Sequence, residues 1–143
     1  LNEVVRSCAK LVFELLKQKN IELNAELTRK IYVFADDTMI ETVLRNLLTN
    51  AIKFTPIGGK INIKVTEKET MVEVSVQDNG VGIPEELKSK LFQPRFTTKS
   101  NGTGIGLATV KTLVEWSNGK IKCKSKSGIG TRMIIQYPKA MNL

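Results

Sequence analysis

The sequence predicts an α+β domain built on a mixed sheet, and three observations carry the prediction. Segments with strand and helix periods interleave along the chain instead of segregating into blocks. The stretches 60–78 and 121–138 read as β-hairpins, which a doubly wound parallel sheet does not contain. Longer stretches repeat apolar residues at the i, i+3, i+4 interval of amphipathic helices. At 143 residues the chain is expected to form one domain spanning 1–143.

In order, residues 1–19 place Leu1, Val4, Val5, Cys8, Leu11, Val12, Leu15 and Leu16 on one helical face, with Lys17 and Lys19 near the end that favours cations. Ile21, Leu23, Ala25 and Leu27 alternate, as do Ile31 and Val33, predicting two short strands before the next helix. That helix, 36–55, is capped by Asp36, Asp37 or Thr38, and Thr38 with Glu41 has capping-box spacing. Its core face is Ile40, Val43, Leu44, Leu47, Leu48 and Ala51, and Pro56 stops it. Gly58 and Gly59 turn the chain into KINIKVT, and the following MVEVSVQD buries Val72, Val74 and Val76 and delivers Asp78 to its end. Pro84 suits the first turn of a short helix over EELKSKLF. QPRFTTKSNGTGIG then lacks an apolar period and reads as a long loop. Leu107, Val110, Leu113 and Val114 restore helical spacing up to Asn118 and Gly119, and a final hairpin turns around SGIG with lysines alternating along its first strand.

Composition narrows the function classes. Hydrophobic residues make up 41% and charged residues 25%, ordinary values for a soluble globular chain. Cys8 and Cys123 fit small buried hydrophobes in a reducing compartment. No apolar run approaches the roughly 20 residues of a membrane span, and no signal peptide precedes the first helix, so a cytoplasmic domain is expected, not itself membrane-embedded. The net charge of +8 comes from lysines spread along the chain, the pattern of solvated faces more than of a nucleic-acid site. Opening on Leu1, the chain reads as a piece of something longer, and it contains no histidine.

Three places can carry chemistry. On the central helix Asn46, Asn50 and Lys53 share one strip beside the apolar stripe, with Phe54 between strip and stripe. Amide oxygens can coordinate Mg2+ and an ammonium can meet phosphate, although the same residues also suit a solvated helix edge. DNGVGI at 78–83 sets a carboxylate at a strand end before Gly80 and Gly82, where it can accept from an exocyclic amine. SNGTGIGLATVK at 100–111 runs glycines straight into a helix whose free amides can hold phosphate oxygens. The dinucleotide fingerprint fails, because no apolar strand precedes these glycines, and no GxxxxGK[ST] loop exists.

Together and in order, NLLTNAIKFTP, DNGVGIP, LFQPRFTT, GTGIGLATVK and GIGTRM resemble the N, G1, F, G2 and G3 boxes of the ATP-binding catalytic domain of sensor histidine kinases, in the superfamily that includes DNA gyrase, Hsp90 and MutL. The resemblance implies a two-layer α/β sandwich of the Bergerat type, its mixed sheet packed on about three helices. It implies that Asn50 coordinates Mg2+, that Asn46 and Lys53 lie near the ATP phosphates as the catalytic pair, and that Phe54 packs on adenine. Asp78 would accept from the adenine amino group, with Thr131 assisting through water. Gly80 and Gly82 would admit the base beside Ile83, while Lys99, Gly102, Thr103, Gly104, Ile105, Gly106 and Leu107 would shape the phosphate site and its lid. The implied partners are a histidine-bearing dimerisation domain of the same full-length homodimeric protein and a response regulator. A membrane anchor elsewhere in that protein is compatible with all of this. Arg95 stands where an aromatic is usual, and Ser117 with Asn118 replaces a common His-Gly.

Two other classes compete with this reading. Hydrolysis-driven clamps of the gyrase or Hsp90 type need a Glu one turn before the metal-binding Asn, and an amide such as Asn46 cannot take a proton from water. A stand-alone serine kinase of the anti-sigma-factor type suits the length, but not the N-box sequence.

Overall fold

The computed structural model describes residues 1–27, 30–93 and 105–140. Its elements run α1 (Asn2–Leu11), α2 (Phe13–Gln18), β1 (Glu22–Glu26), α3 (Asp37–Phe54), β2 (Lys60–Glu67), β3 (Met71–Asp78), α4 (Glu85–Lys88), α5 (Ile105–Trp116), β4 (Lys120–Lys126) and β5 (Gly130–Pro138). The strands form one five-stranded sheet in the order β1-β2-β3-β5-β4. Only β1 and β2 run parallel; the other three pairings are antiparallel, so the expected mixed sheet is present.

One face of the sheet is packed by helices. α3 buries Ile40, Val43, Leu44, Leu47, Leu48 and Ala51, the stripe read from its period, against a cluster that includes Ile61, Ile63, Val74, Val76 and Ile135 from the sheet. Each Val, Leu or Ile among them contributes about 1.5–3 kcal/mol when fully buried. α1 adds Val5 and Cys8, and α5 adds Val110 and Val114. Burial pushes the Cys8 thiol up to about 11, as a structural cysteine requires. The result is a two-layer α/β sandwich.

Several boundaries differ from expectation. The first helix is two, because Val12 adopts φ −99° and ψ 4°; Val12 and Leu16 both stay buried, so the period survives the break. The strand expected at Ile31 and Val33 is a single bridge from Val33 to Lys139, since β5 ends at Pro138 and offers no longer partner. Asp36 caps α3, its carboxylate accepting from Thr38 and Met39 N–H, so Thr38 lies inside the helix and cannot be the cap of a capping box. The helix over EELKSKLF is only four residues, and Pro84 stands before it as the N-cap. At the end of α5, Asn118 takes φ 58° and Gly119 N–H reaches back to Val114 O at 2.9 Å, the expected helix stop.

Candidate functional site

The end of α3 is held firmly. Thr55 Oγ1 donates to Ala51 O at 2.6 Å, and Lys19 Nζ donates to the terminal carbonyls of Ile52 and Lys53 at 2.7 and 3.2 Å, a cation placed where the helix dipole is negative. The polar strip of this helix therefore sits on a rigid base. Asn46 is half-buried and its Nδ2 donates to Thr42 O at 2.8 Å, which orients the amide oxygen away from its own helix. That oxygen lies 3.5 Å from where a Cβ on Gly106 would be, so Asn46 faces the first turn of α5. Asn50, half-buried one turn on, has no side-chain partner among the described residues. Lys53 is exposed and Phe54 is 38% exposed at the helix end.

Beside this end stands Asp78, the last residue of β3. The alternation that buries Val72, Val74 and Val76 carries it to the helix-covered face, and it is 8% exposed. Its Oδ1 accepts from Gly80 N–H at 2.9 Å and from Thr131 N–H at 3.3 Å. Its Oδ2 has no hydrogen-bond partner among the described residues. Burial raises the carboxyl's pKa above its usual range, and the two backbone donors oppose that only in part. Half of this carboxylate is thus fixed by the fold, and half is left to accept from something else.

The two glycines of DNGVGI have a structural reason to be glycine. A Cβ on Gly80 would stand 2.2 Å from Phe54 O, so only glycine lets this loop close on the end of α3; Val81 N–H donates to the same carbonyl at 3.3 Å. Gly82 has φ +74°, and a Cβ there would meet Lys126 O at 2.1 Å. In both cases the space taken by close approach belongs to protein backbone.

Thr131 pairs directly with Asp78 across β3 and β5. Its hydroxyl lies 2.8 Å from Ser125 Oγ, which also accepts from Ile83 N–H at 2.8 Å and sits 2.9 Å from Gly130 O. Ser125 has one proton to give. When that proton goes to Gly130 O, Thr131 must donate to Ser125; when it goes to Thr131, the Thr131 proton is released toward the site. Sequence reasoning missed Ser125, which sits among alternating lysines and reads there as one more exposed strand residue. Its signal is register: Ser125 is the direct neighbour of Thr131.

The structure therefore closes Gly80 on the end of α3, ties Gly80 and Thr131 to Asp78 and Ile83 to Ser125, and brings Asn46 to Gly106. Leu107 is half-buried against the core, and Ile105 opens α5. Lys99, Gly102, Thr103 and Gly104, with Arg95, lie outside the described residues. No cluster of three or more His, Cys, Asp or Glu side chains that could hold a metal exists among the described residues. An unpartnered amide such as Asn50 fits a Mg2+ ion that takes most of its oxygens from phosphates and water. No helix among the described residues is long and apolar enough to cross a membrane.

Residues 35–141 match the family model for the histidine kinase-, DNA gyrase B-, and HSP90-like ATPases. The chain is 35% identical over 147 residues to the sensor histidine kinase WalK of Bacillus subtilis (strain 168), a match covering 95% of this chain but only 24% of that kinase. It is similar to the solved nucleotide-free catalytic domain of histidine kinase ThkA, at TM-score 0.89 and 41% identity, covering 97% of this chain and 92% of that one. It is also similar to ThkA in its complex with the response regulator protein TrrA, at TM-score 0.84 and 38% identity, covering 98% of this chain and 40% of that one. The chain belongs to the histidine kinase-, DNA gyrase B-, and HSP90-like ATPase family, as a sensor histidine kinase catalytic domain.

Proposed function

We propose that residues 1–143 form one unit that binds Mg-ATP and presents the γ-phosphate to a histidine on a separate dimerisation domain of the same full-length, homodimeric protein. The observation that carries this reading is Asp78, largely buried with Oδ2 left unpartnered beside a glycine loop closed on α3. A carboxylate in that state suits the exocyclic amine of adenine, which supplies the missing donor. Phe54 then packs on the base, and Thr131, with its hydroxyl proton set by Ser125, supports Asp78 from the facing strand.

The phosphates would run from the base toward α5, where Asn46, Asn50 and Lys53 meet them. Mg2+ held there by Asn50 would neutralise phosphate charge. Phosphoryl transfer rests mainly on positioning and charge neutralisation, and these residues supply both. The chain has no histidine to attack, so the nucleophile comes from another domain. The chain spans about a quarter of WalK's length, which leaves room in such proteins for that domain. A response regulator as the downstream acceptor is supported by the similar kinase solved with one.

The test is to incubate the isolated chain with γ-labelled ATP, alone and with a histidine-bearing dimerisation domain. The chain alone gains no acid-labile phosphate, and labelling appears on the partner's histidine. Labelling of the isolated chain on Ser or Thr would contradict the proposal and favour a stand-alone serine kinase.

A further inference from the structure

The sheet face opposite the helices carries an excess of positive charge. On β4, Lys120, Lys122, Lys124 and Lys126 are all exposed, and Arg132 stands opposite Lys124 on β5. Among the described residues none of these five cations makes an ion pair or a side-chain hydrogen bond. The Arg132 Nε is buried with no acceptor, an orphan that normally costs free energy. The nearby anion, Glu73, is held by Lys68 at 3.1 Å and by Gln136 Nε2 at 3.1 Å, and Arg132 attracts it without an ion pair. A cleft of about 340 Å³ opens beside Arg132, and its walls include Lys124, Lys126 and Gln77 together with Asp78, Ser125 and Thr131, so this face borders the nucleotide site.

Lysines on an edge strand deter strand-to-strand aggregation, and that accounts for β4. It does not account for Arg132, which lies one strand inward. We propose that this open face of β4 and β5 docks an extended acidic segment of a protein partner, with one carboxylate seated on Arg132 between Lys124 and Lys126. Side chains on one face of a strand recur about every 6.7 Å, so an extended peptide laid along β4 can meet each lysine with alternate acidic residues. The Arg fork donates two parallel hydrogen bonds to a carboxylate. That would offset the guanidinium's charge.

The test is fluorescence anisotropy with a labelled peptide alternating glutamate and serine, titrated at low and physiological salt. The face variant is Lys122→Glu/Lys124→Glu/Arg132→Glu, and the control with equal charge change is Lys10→Glu/Lys17→Glu/Lys30→Glu. The face variant binds the peptide roughly tenfold more weakly than the control, the effect of losing three exposed ion pairs. Lys120→Glu/Lys122→Glu, outside the cleft shared with Asp78, weakens peptide binding while Mg-ATP affinity stays at the wild-type level, which separates this surface from the nucleotide site. If thermal melts show that the triple variant fails to fold, Lys122→Glu/Lys124→Glu alone carries the test. Equal weakening by face and control variants would overturn the proposal. So would tighter, face-dependent binding of phosphatidylserine vesicles or of a single-stranded oligonucleotide.

Discussion

Strand β3 carries two carboxylates, Glu73 and Asp78, five residues apart on opposite faces of the sheet, and their surroundings push them in opposite directions. Glu73 lies on the open face, where a hydrogen bond from Gln136 and the Lys68 ammonium hold its carboxyl below the usual range. Asp78 lies on the covered face, where burial outweighs its two backbone donors and holds its carboxyl above that range. Each is held through one oxygen, Glu73 by Oε2 and Asp78 by Oδ1, but Glu73 faces an ammonium whereas Asp78 is buried against backbone N–H groups alone. A carboxylate that stabilises the fold is matched by a cation, whereas one kept for a ligand is buried without one at a cost to the fold.

The contrast can be broken most strongly at the ligand. Asp78→Asn should weaken Mg-ATP binding by roughly 1.5–3 kcal/mol, the range for a hydrogen bond to a charged group, measured by calorimetry, whereas Glu73→Gln should leave it unchanged. A second break is steric. Gly80→Ala forces a Cβ into the Phe54 carbonyl and should cost roughly 1–3 kcal/mol of stability in denaturant titrations.

The smallest effects test the electrostatics, and their signs differ. Asp78 has a raised folded value, so wild-type stability falls as pH rises from below 3.8 through that value, then levels off. Asp78→Asn should therefore melt higher than wild type at neutral pH, with the gap shrinking in acid. Glu73 has a lowered folded value, so its contribution is present above 4.5 and lost as pH falls. Glu73→Gln should melt slightly lower at neutral pH, by less than about 1 kcal/mol, and this gap also closes in acid.

Much of the contrast was legible before the structure. Alternation of Val72, Val74 and Val76 puts residue 78 on the buried face, and α3's period fixes which side of that helix is polar. Alternation marks a strand without naming its partner, so neither the parallel pairing of β1 with β2 nor the reduction of Ile31–Val33 to one bridge could be read from it. Three consecutive capping residues left the start of α3 open, and a continuous apolar spacing hid the break at Val12. At the site, residue type identified Asp78, but which of its oxygens is occupied depends on Gly80 and Thr131 N–H groups that only the folded chain brings together.

The central claim is that the free oxygen of Asp78 reads an exocyclic amine, and a ligand-by-mutant cycle tests it most directly. Calorimetric affinities for ATP and for inosine triphosphate, which lacks that amine, would be measured on wild type and on Asp78→Asn. Wild type should prefer ATP by roughly tenfold or more, and the preference should collapse in the variant. The same ATP-to-inosine preference in both proteins would show that Asp78 does not read the base.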